Sequence, residues 1–160
     1  GDWSSDVCSS DLRALLAMGL EAQVAARRPE AARALAEELG CRAVDWEAIE
    51  ETPHEILVNC TPVGMGCDDP DTSDPAATPI PSSWIRPGTL VLDAVYRPLR
   101  TPFMVQAAAR GAFPIPGAEW FLRQALAQYQ TFTGAPPDEP LMRAALEGAL
   151  GLAADEAPAL

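Results

Sequence analysis

Two arginines, Arg27 and Arg28, follow a short stretch centred on Val24 and precede Pro29, which opens a helical pattern. Ligands of parallel α/β folds gather beyond the carboxyl ends of the strands, so the residues after each strand carry the chemistry. At this place an acid would hold the 2′-hydroxyl of NAD, whereas an arginine meets the 2′-phosphate of NADP. Adjacent guanidinium forks with no acid before Glu30 suit the phosphate. The plainer alternative is a solvated pair at a helix start, although cations are mildly unfavourable there. A second group, Asn59-Cys60-Thr61-Pro62-Val63-Gly64-Met65, follows the apolar triplet Ile56-Leu57-Val58. Asn and Thr offer side-chain hydrogen bonds, Pro and Gly set a turn, and Gly admits a ligand close to the backbone. A plain turn would use the same residues. Cys8, Cys41, Cys60 and Cys67 have no metal-ligand spacing, and the only histidine, His54, stands before a strand. No metal site is expected, and the thiols fit a cytoplasmic protein.

The elements that must position these groups alternate. Arg13–Met18 reads as the end of a helix stopped by Gly19, and Glu21–Ala26 as a short strand. Ala32, Leu35, Ala36 and Leu39 recur at helical spacing before Gly40. Arg42–Val44 is a short strand, Trp46–Glu50 a weak turn or helix, and Glu55–Asn59 a buried parallel strand. Thr61–Pro81, rich in Pro, Asp, Gly and Thr, is a long loop of the kind that is usually functional or mobile. Thr89–Asp93 is the next strand, Thr101-Pro102 starts a helix through Arg110, and Phe113–Ile115 is a short strand. Helices follow near Ala118–Phe132 and from Asp138. The alternation predicts an α/β fold with a doubly wound parallel sheet. Such a fold normally opens on a strand, yet here the pattern opens on a helix.

The chain has 160 residues, 48% hydrophobic and 21% charged, which suits one domain with a real core rather than disorder. Its net charge is −12, from 23 acids against 11 bases. So acidic a surface repels phosphate backbones and anionic lipid, which argues against nucleic acid and membrane as partners. No apolar run reaches the roughly 20 residues of a membrane-spanning helix, and no export signal opens the chain.

Gly1–Leu12 (GDWSSDVCSSDL) has no periodic apolar face, and composition switches abruptly at Arg13 to alanine and leucine. Asp2–Leu12 also matches the conceptual translation of a common sequencing-adapter oligonucleotide. Residues 1–12 are therefore expected to be an assembly artefact, 13–150 a cofactor-binding domain and 151–160 a tail. Without Asp2, Asp6 and Asp11 there remain 20 acids against 11 bases, still −9, so the charge argument stands.

Four blocks in order resemble the shikimate dehydrogenase family. They are Asn59-x-Thr61-Pro62-Val63-Gly64-Met65, then Asp93-Ala94-Val95-Tyr96-Arg97-Pro98-Leu99-Arg100-Thr101-Pro102, then Gly117 with Gln124, then Tyr129–Pro136 with Met142. Together they cover about Arg13–Gly151. The resemblance implies a Rossmann-like domain truncated at its amino end, without the first strand and its glycine-rich, pyrophosphate-holding loop. It implies NADP as cofactor and the shikimate/3-dehydroshikimate pair as substrate. By the same resemblance Arg27, Arg28, Asn59, Thr61, Ala94, Gly117 and Trp120 line the cofactor, and Tyr96 and Gln124 reach the substrate. A phenol and an amide can hydrogen-bond a polyhydroxylated carboxylate without adding charge. As bare residue types they would be a core-capping tyrosine and a helix-surface glutamine. Ala26-Arg27-Arg28 departs from the family's Asn-Arg-Thr, Ala31 replaces a basic residue, and Trp120 stands at the usual methionine. Glu119–Gln124 (EWFLRQ) is closer to enzymes fused to a dehydroquinate dehydratase. The family's catalytic lysine and aspartate lie on an amino-terminal domain that has no counterpart here, so no residue of this chain is assigned as catalytic. An NAD-using quinate/shikimate dehydrogenase and a non-catalytic binding module are the alternatives. The helix near Arg13, with no strand before it, is expected to be poorly supported, and the unpaired strand edge to invite aggregation.

Overall fold

The structure, a computed structural model, describes residues 3–65 and 77–151. Helix α1 (Trp3–Ala17) leads into β1 (Gln23–Val24), α2 (Pro29–Leu39) and β2 (Arg42–Ala43). A 3-10 turn at Trp46–Ile49 precedes β3 (Ile56–Asn59), and a second at Ser82–Trp84 precedes β4 (Leu90–Asp93). Then come α3 (Pro102–Ala109), β5 (Phe113–Ile115), α4 (Gly117–Thr133) and α5 (Glu139–Leu150). The middle of the loop expected over Thr61–Pro81 lies outside the described residues.

The caps fall where the residue types require them. Gly40 ends α2 in the left-handed region, its N–H donating to the Ala36 carbonyl. Thr101 and Asp138 cap α3 and α5 by accepting from the Met104 and Leu141 amides. Each of these helices then starts with a proline in its first turn, where the missing N–H costs nothing.

The strands are parallel, as the alternation of strand and helix predicts, and the α/β class stands. They form two pieces rather than one sheet: β1 with β2, and β3-β4-β5. Strand lengths go with this division. The first strand expected over Glu21–Ala26 shrinks to Gln23–Val24, which among the described residues has a ladder on one side only. Likewise the Ile56-Leu57-Val58 triplet, apolar enough for a strand covered on both faces, leaves Ile56 44% exposed. Among the described residues its only pairing neighbour is β4.

Two separate cores match the two pieces. Leu12, Val24, Ala32 and Ala36 form one. Ile80, Ile85, Val91, Phe103, Ala107 and Ala112 form the other, with Trp46, Ile49, Leu57 and Trp84 around it. Full burial of side chains such as Phe103 and Ile85 contributes roughly 1.5–3 kcal/mol each. The expectation of a poorly supported helix near Arg13 is corrected. Leu12, only 6% exposed, and Leu16 one turn later pack against α2, and Arg13 pairs with Glu38. The alanines of α2 leave room for those leucines, which is why the contact closes without a strand before α1.

Candidate functional site

The polar groups sit at the carboxyl ends of β3 and β4 because the two strands end on the same rung. Ile56, Leu57 and Val58 pair with Leu90, Val91 and Leu92, and the next rung is Asn59 with Asp93. Partners on a parallel rung face the same side, so the amide and the carboxylate meet. Asn59 Nδ2 donates to Asp93 Oδ1 at 2.9 Å. Asp93 is fully buried and accepts two more bonds, from the Val95 amide at 3.1 Å and from Thr101 Oγ1 at 2.5 Å. Burial pushes its carboxyl above the ordinary range, and the bonds from Thr101, Val95 and Asn59 pull part of the way back.

The other end of Asn59 organises the loop after β3. Its Oδ1 accepts from the Thr61 amide at 3.0 Å and from Thr61 Oγ1 at 2.7 Å, and Thr61 Oγ1 in turn accepts from the Val63 amide. Gly64, at φ 89°, then turns the chain against Thr101, whose Cβ would lie 3.6 Å from a side chain there. One buried chain of hydrogen bonds thus joins the loop after β3, the loop after β4 and the start of α3.

That chain of bonds redefines several residues expected to line a ligand. Asn59 is 4% exposed with both ends of its amide used internally, so its side chain holds the loop rather than facing out of it. Ala94 gives its N–H to the Asn59 carbonyl, which leaves its carbonyl as the backbone group available at that point. Gly117 has no room for a Cβ: one would lie 2.5 Å from both the Asp93 and the Val95 carbonyl oxygens. The glycine is needed so that α4 can start against the end of β4.

Around that start the remaining residues converge. Tyr96, 41% exposed, lies against Phe121 of α4 with ring centroids 5.4 Å apart. Gln124 is exposed one turn beyond Phe121, and Trp120 is half-buried in the first turn. Arg27 and Arg28 stand exposed at the end of β1 and the cap of α2, on the other sheet piece. Among the described residues no acid pairs with Arg27. The structure therefore brings Asn59, Thr61, Ala94 and Gly117 together at the ends of β3 and β4, with Tyr96 against Phe121 of α4, the helix that carries Trp120 and Gln124, while the two arginines follow the other sheet piece. Sequence reasoning did not single out Asp93 and Thr101 as the centre of the arrangement. The signal was available: two polar residues that each end an apolar strand, in strands that pair.

A second cluster also escaped notice. Glu119, in the first turn of α4, accepts from Arg143 of α5 through both oxygens, at 2.8 and 3.1 Å, and from Arg123 at 2.9 Å. Its carboxyl is held below the ordinary range, chiefly by the Arg143 hydrogen bonds. The described residues contain no group of three His, Cys, Asp or Glu that could hold a metal, and no helix long and apolar enough to cross a membrane.

Residues 117–147 match the family described as the shikimate 5'-dehydrogenase C-terminal domain. A shikimate dehydrogenase (NADP(+)) of Thermus thermophilus is 39% identical over 139 residues, 87% of this chain and 49% of that protein. One of Rubrobacter xylanophilus is 38% identical over 144 residues, 84% of this chain and 48% of that protein. Among solved structures, a shikimate 5-dehydrogenase of Thermus thermophilus in complex with NADP(H) and shikimate superposes with a TM-score of 0.74 at 38% identity. That match covers 86% of this chain and 49% of that one. A quinate dehydrogenase of Corynebacterium glutamicum in complex with NAD also reaches 0.74, at 29% identity over 88% of this chain and 51% of that one. The chain spans about half the length of the curated relatives it matches.

Proposed function

We propose that this chain, similar in sequence and fold to the C-terminal half of shikimate dehydrogenases, supplies the cofactor-binding half of an NADP-dependent enzyme. The reaction is the reversible reduction of 3-dehydroshikimate to shikimate, a cytoplasmic step towards chorismate and the aromatic amino acids. The observation that carries the proposal is the meeting of the Tyr96 loop with the start of α4, over the buried Asn59–Asp93 pair. Tyr96 and Gln124 are the exposed polar groups there, suited to the hydroxyls and carboxylate of the substrate. Arg27 and Arg28 fit the 2′-phosphate of NADP, being exposed at a strand's carboxyl end beside a helix start. Thr61, Ala94, Gly117 and Trp120 would border the nicotinamide side. NADP supplies the hydride when bound.

What these residues do is bind and orient. The chain contains no lysine to serve as a general acid–base group. The resemblance puts a lysine and an aspartate for that role on a preceding domain, so the 160 residues alone are proposed to turn over no shikimate.

A second reading, a quinate/shikimate dehydrogenase using NAD, is favoured by the equal superposition on the quinate enzyme. Arg27 argues against it, since NAD calls for an acid there. Amide shifts of residues 27–32, followed by nuclear magnetic resonance during titration, separate the cases. Saturable shifts with NADP+ and weaker ones with NAD+, inverted in Arg27→Asp, support the proposal. Equal responses would favour the NAD reading, and no saturable shift with either would leave a scaffold module.

A further inference from the structure

Helix α5 carries neither Tyr96 nor Gln124, yet it is tied to the elements that carry both. Its first half is fastened to α4. Arg143 grips Glu119 through two hydrogen bonds, and Glu139 accepts from Arg143 at 3.2 Å and from Arg123 at 3.2 Å. The four side chains close a ring across the first two turns of α4. Glu119 is the best covered of them, its side chain 14% exposed, so water screens this ring less than it would an ordinary surface pair.

The other end of α5 is fastened to the Tyr96 loop. Arg97 Nη2 donates at 2.7 Å to the carbonyl of Ala149, in the last turn of α5. Carbonyls there lack helical partners and carry the negative end of the helix dipole, so a guanidinium both satisfies and neutralises them. Between Arg143 and Ala149 the helix rises about 9 Å. This tie and the Tyr96–Phe121 contact act on the part of the loop that burial does not hold, since Tyr96, Arg97 and Pro98 are all exposed.

We propose that α5 is a brace, and that Arg143 and Arg97 are positioning residues that hold the Tyr96 loop in place against the Phe121 and Gln124 side of α4. The proposal rests on the function above only in taking Tyr96 and Gln124 as substrate groups; the mechanical claim stands on the contacts themselves.

Hydrogen exchange of the whole chain tests it without ligand. In Arg143→Met, the amides of residues 95–97 and 99 should exchange about tenfold faster than in the parent, although the hydrogen bonds of Arg143 go to Glu119 and Glu139. Arg97→Met should speed the same amides, together with 147–151, and should weaken the nuclear Overhauser contact between the Tyr96 and Phe121 rings. The fourfold variant Glu119→Arg/Arg123→Glu/Glu139→Arg/Arg143→Glu, which keeps opposite charges in every pair of the ring, should recover protection at 95–99. A merely local role for the ring would quicken exchange only within 139–151 and leave 95–99 as in the parent. That outcome overturns the brace, as does a charge swap that fails to restore the loop while α5 remains helical. Because no ligand enters the measurement, a failed cofactor titration and a failed brace are separately visible.

Discussion

Replacing Gly117 by alanine tests the geometry on which the whole site depends. A Cβ built there lies 2.5 Å from the Asp93 and Val95 carbonyl oxygens and 2.7 Å from the Val95 carbonyl carbon. Ordinary contact begins near 3.4 Å, so α4 must retreat from the end of β4 by about 0.9 Å. All three obstructing atoms are backbone, and no rotamer change can relieve them. Overpacking of this kind costs about 1–3 kcal/mol, and rigid neighbours on two sides point to about 3. For a chain of this length that lowers Tm by roughly 6–12 °C. Gly148→Ala is the control. It lies inside α5 with nothing within 4 Å of its would-be Cβ, so it should gain roughly 0.5–1 kcal/mol from helix propensity alone. Thermal unfolding followed by circular dichroism gives both numbers, and the Tyr96–Phe121 ring contact reports the displacement of α4. A Gly117→Ala variant melting within about 2 °C of the parent with that contact intact would refute the argument.

Two further predictions concern the ends and the edge of the strands. Burial holds the Asp93 carboxyl above its ordinary 3.8, so the folded chain binds this proton more tightly than the unfolded chain does. The stabilisation from protonated Asp93 is complete below that ordinary value and is lost as pH rises through the folded one. Asp93→Asn keeps the shape and cannot ionise, so its deficit in urea midpoint against the parent should shrink from about pH 4 to about pH 7. A deficit that grows with pH would mean that the three donors favour the anion more than burial disfavours it. At the edge, β3 has one pairing neighbour among the described residues and an exposed Ile56, which invites pairing between copies. Ile56→Lys should lower the weight-average mass in sedimentation, and unchanged association would acquit that edge.

The sequence announced element type well and element length poorly. Helices α2 to α5 follow from apolar spacing, proline openings and glycine stops, all local signals within a few residues. Phe113–Ile115 is recovered at its full length. What failed was anything set by a neighbour distant in sequence. The β1 segment looks six residues long by composition, but only Gln23 and Val24 have a partner across the ladder. The support of α1 by α2 was missed for the same reason, because Leu12 meets Ala32 and Ala36 only once the chain has folded back. The motifs located the edge where the loops after β3 and β4 meet the start of α4. They did not tell which of their residues face the ligand.

That last distinction is physical. Burying a carboxylate and an amide costs several kcal/mol unless each polar atom is bonded, so a buried polar pair persists only where its bonds hold something in place. Asn59 and Asp93 hold two loops that have no ladder of their own. Between them they bind the amides of Thr61 and Val95 and the hydroxyls of Thr61 and Thr101. Thr101 passes the constraint into α3 through the Met104 amide, and Gly117 lets α4 close over the same spot. In a fold whose ligands lie beyond the strand ends, those loops are the site, so a residue that shapes them matters as much as one that touches the ligand. Asn59 therefore belongs to the frame of the site, while Tyr96 and Gln124 are the exposed groups we propose to meet a substrate.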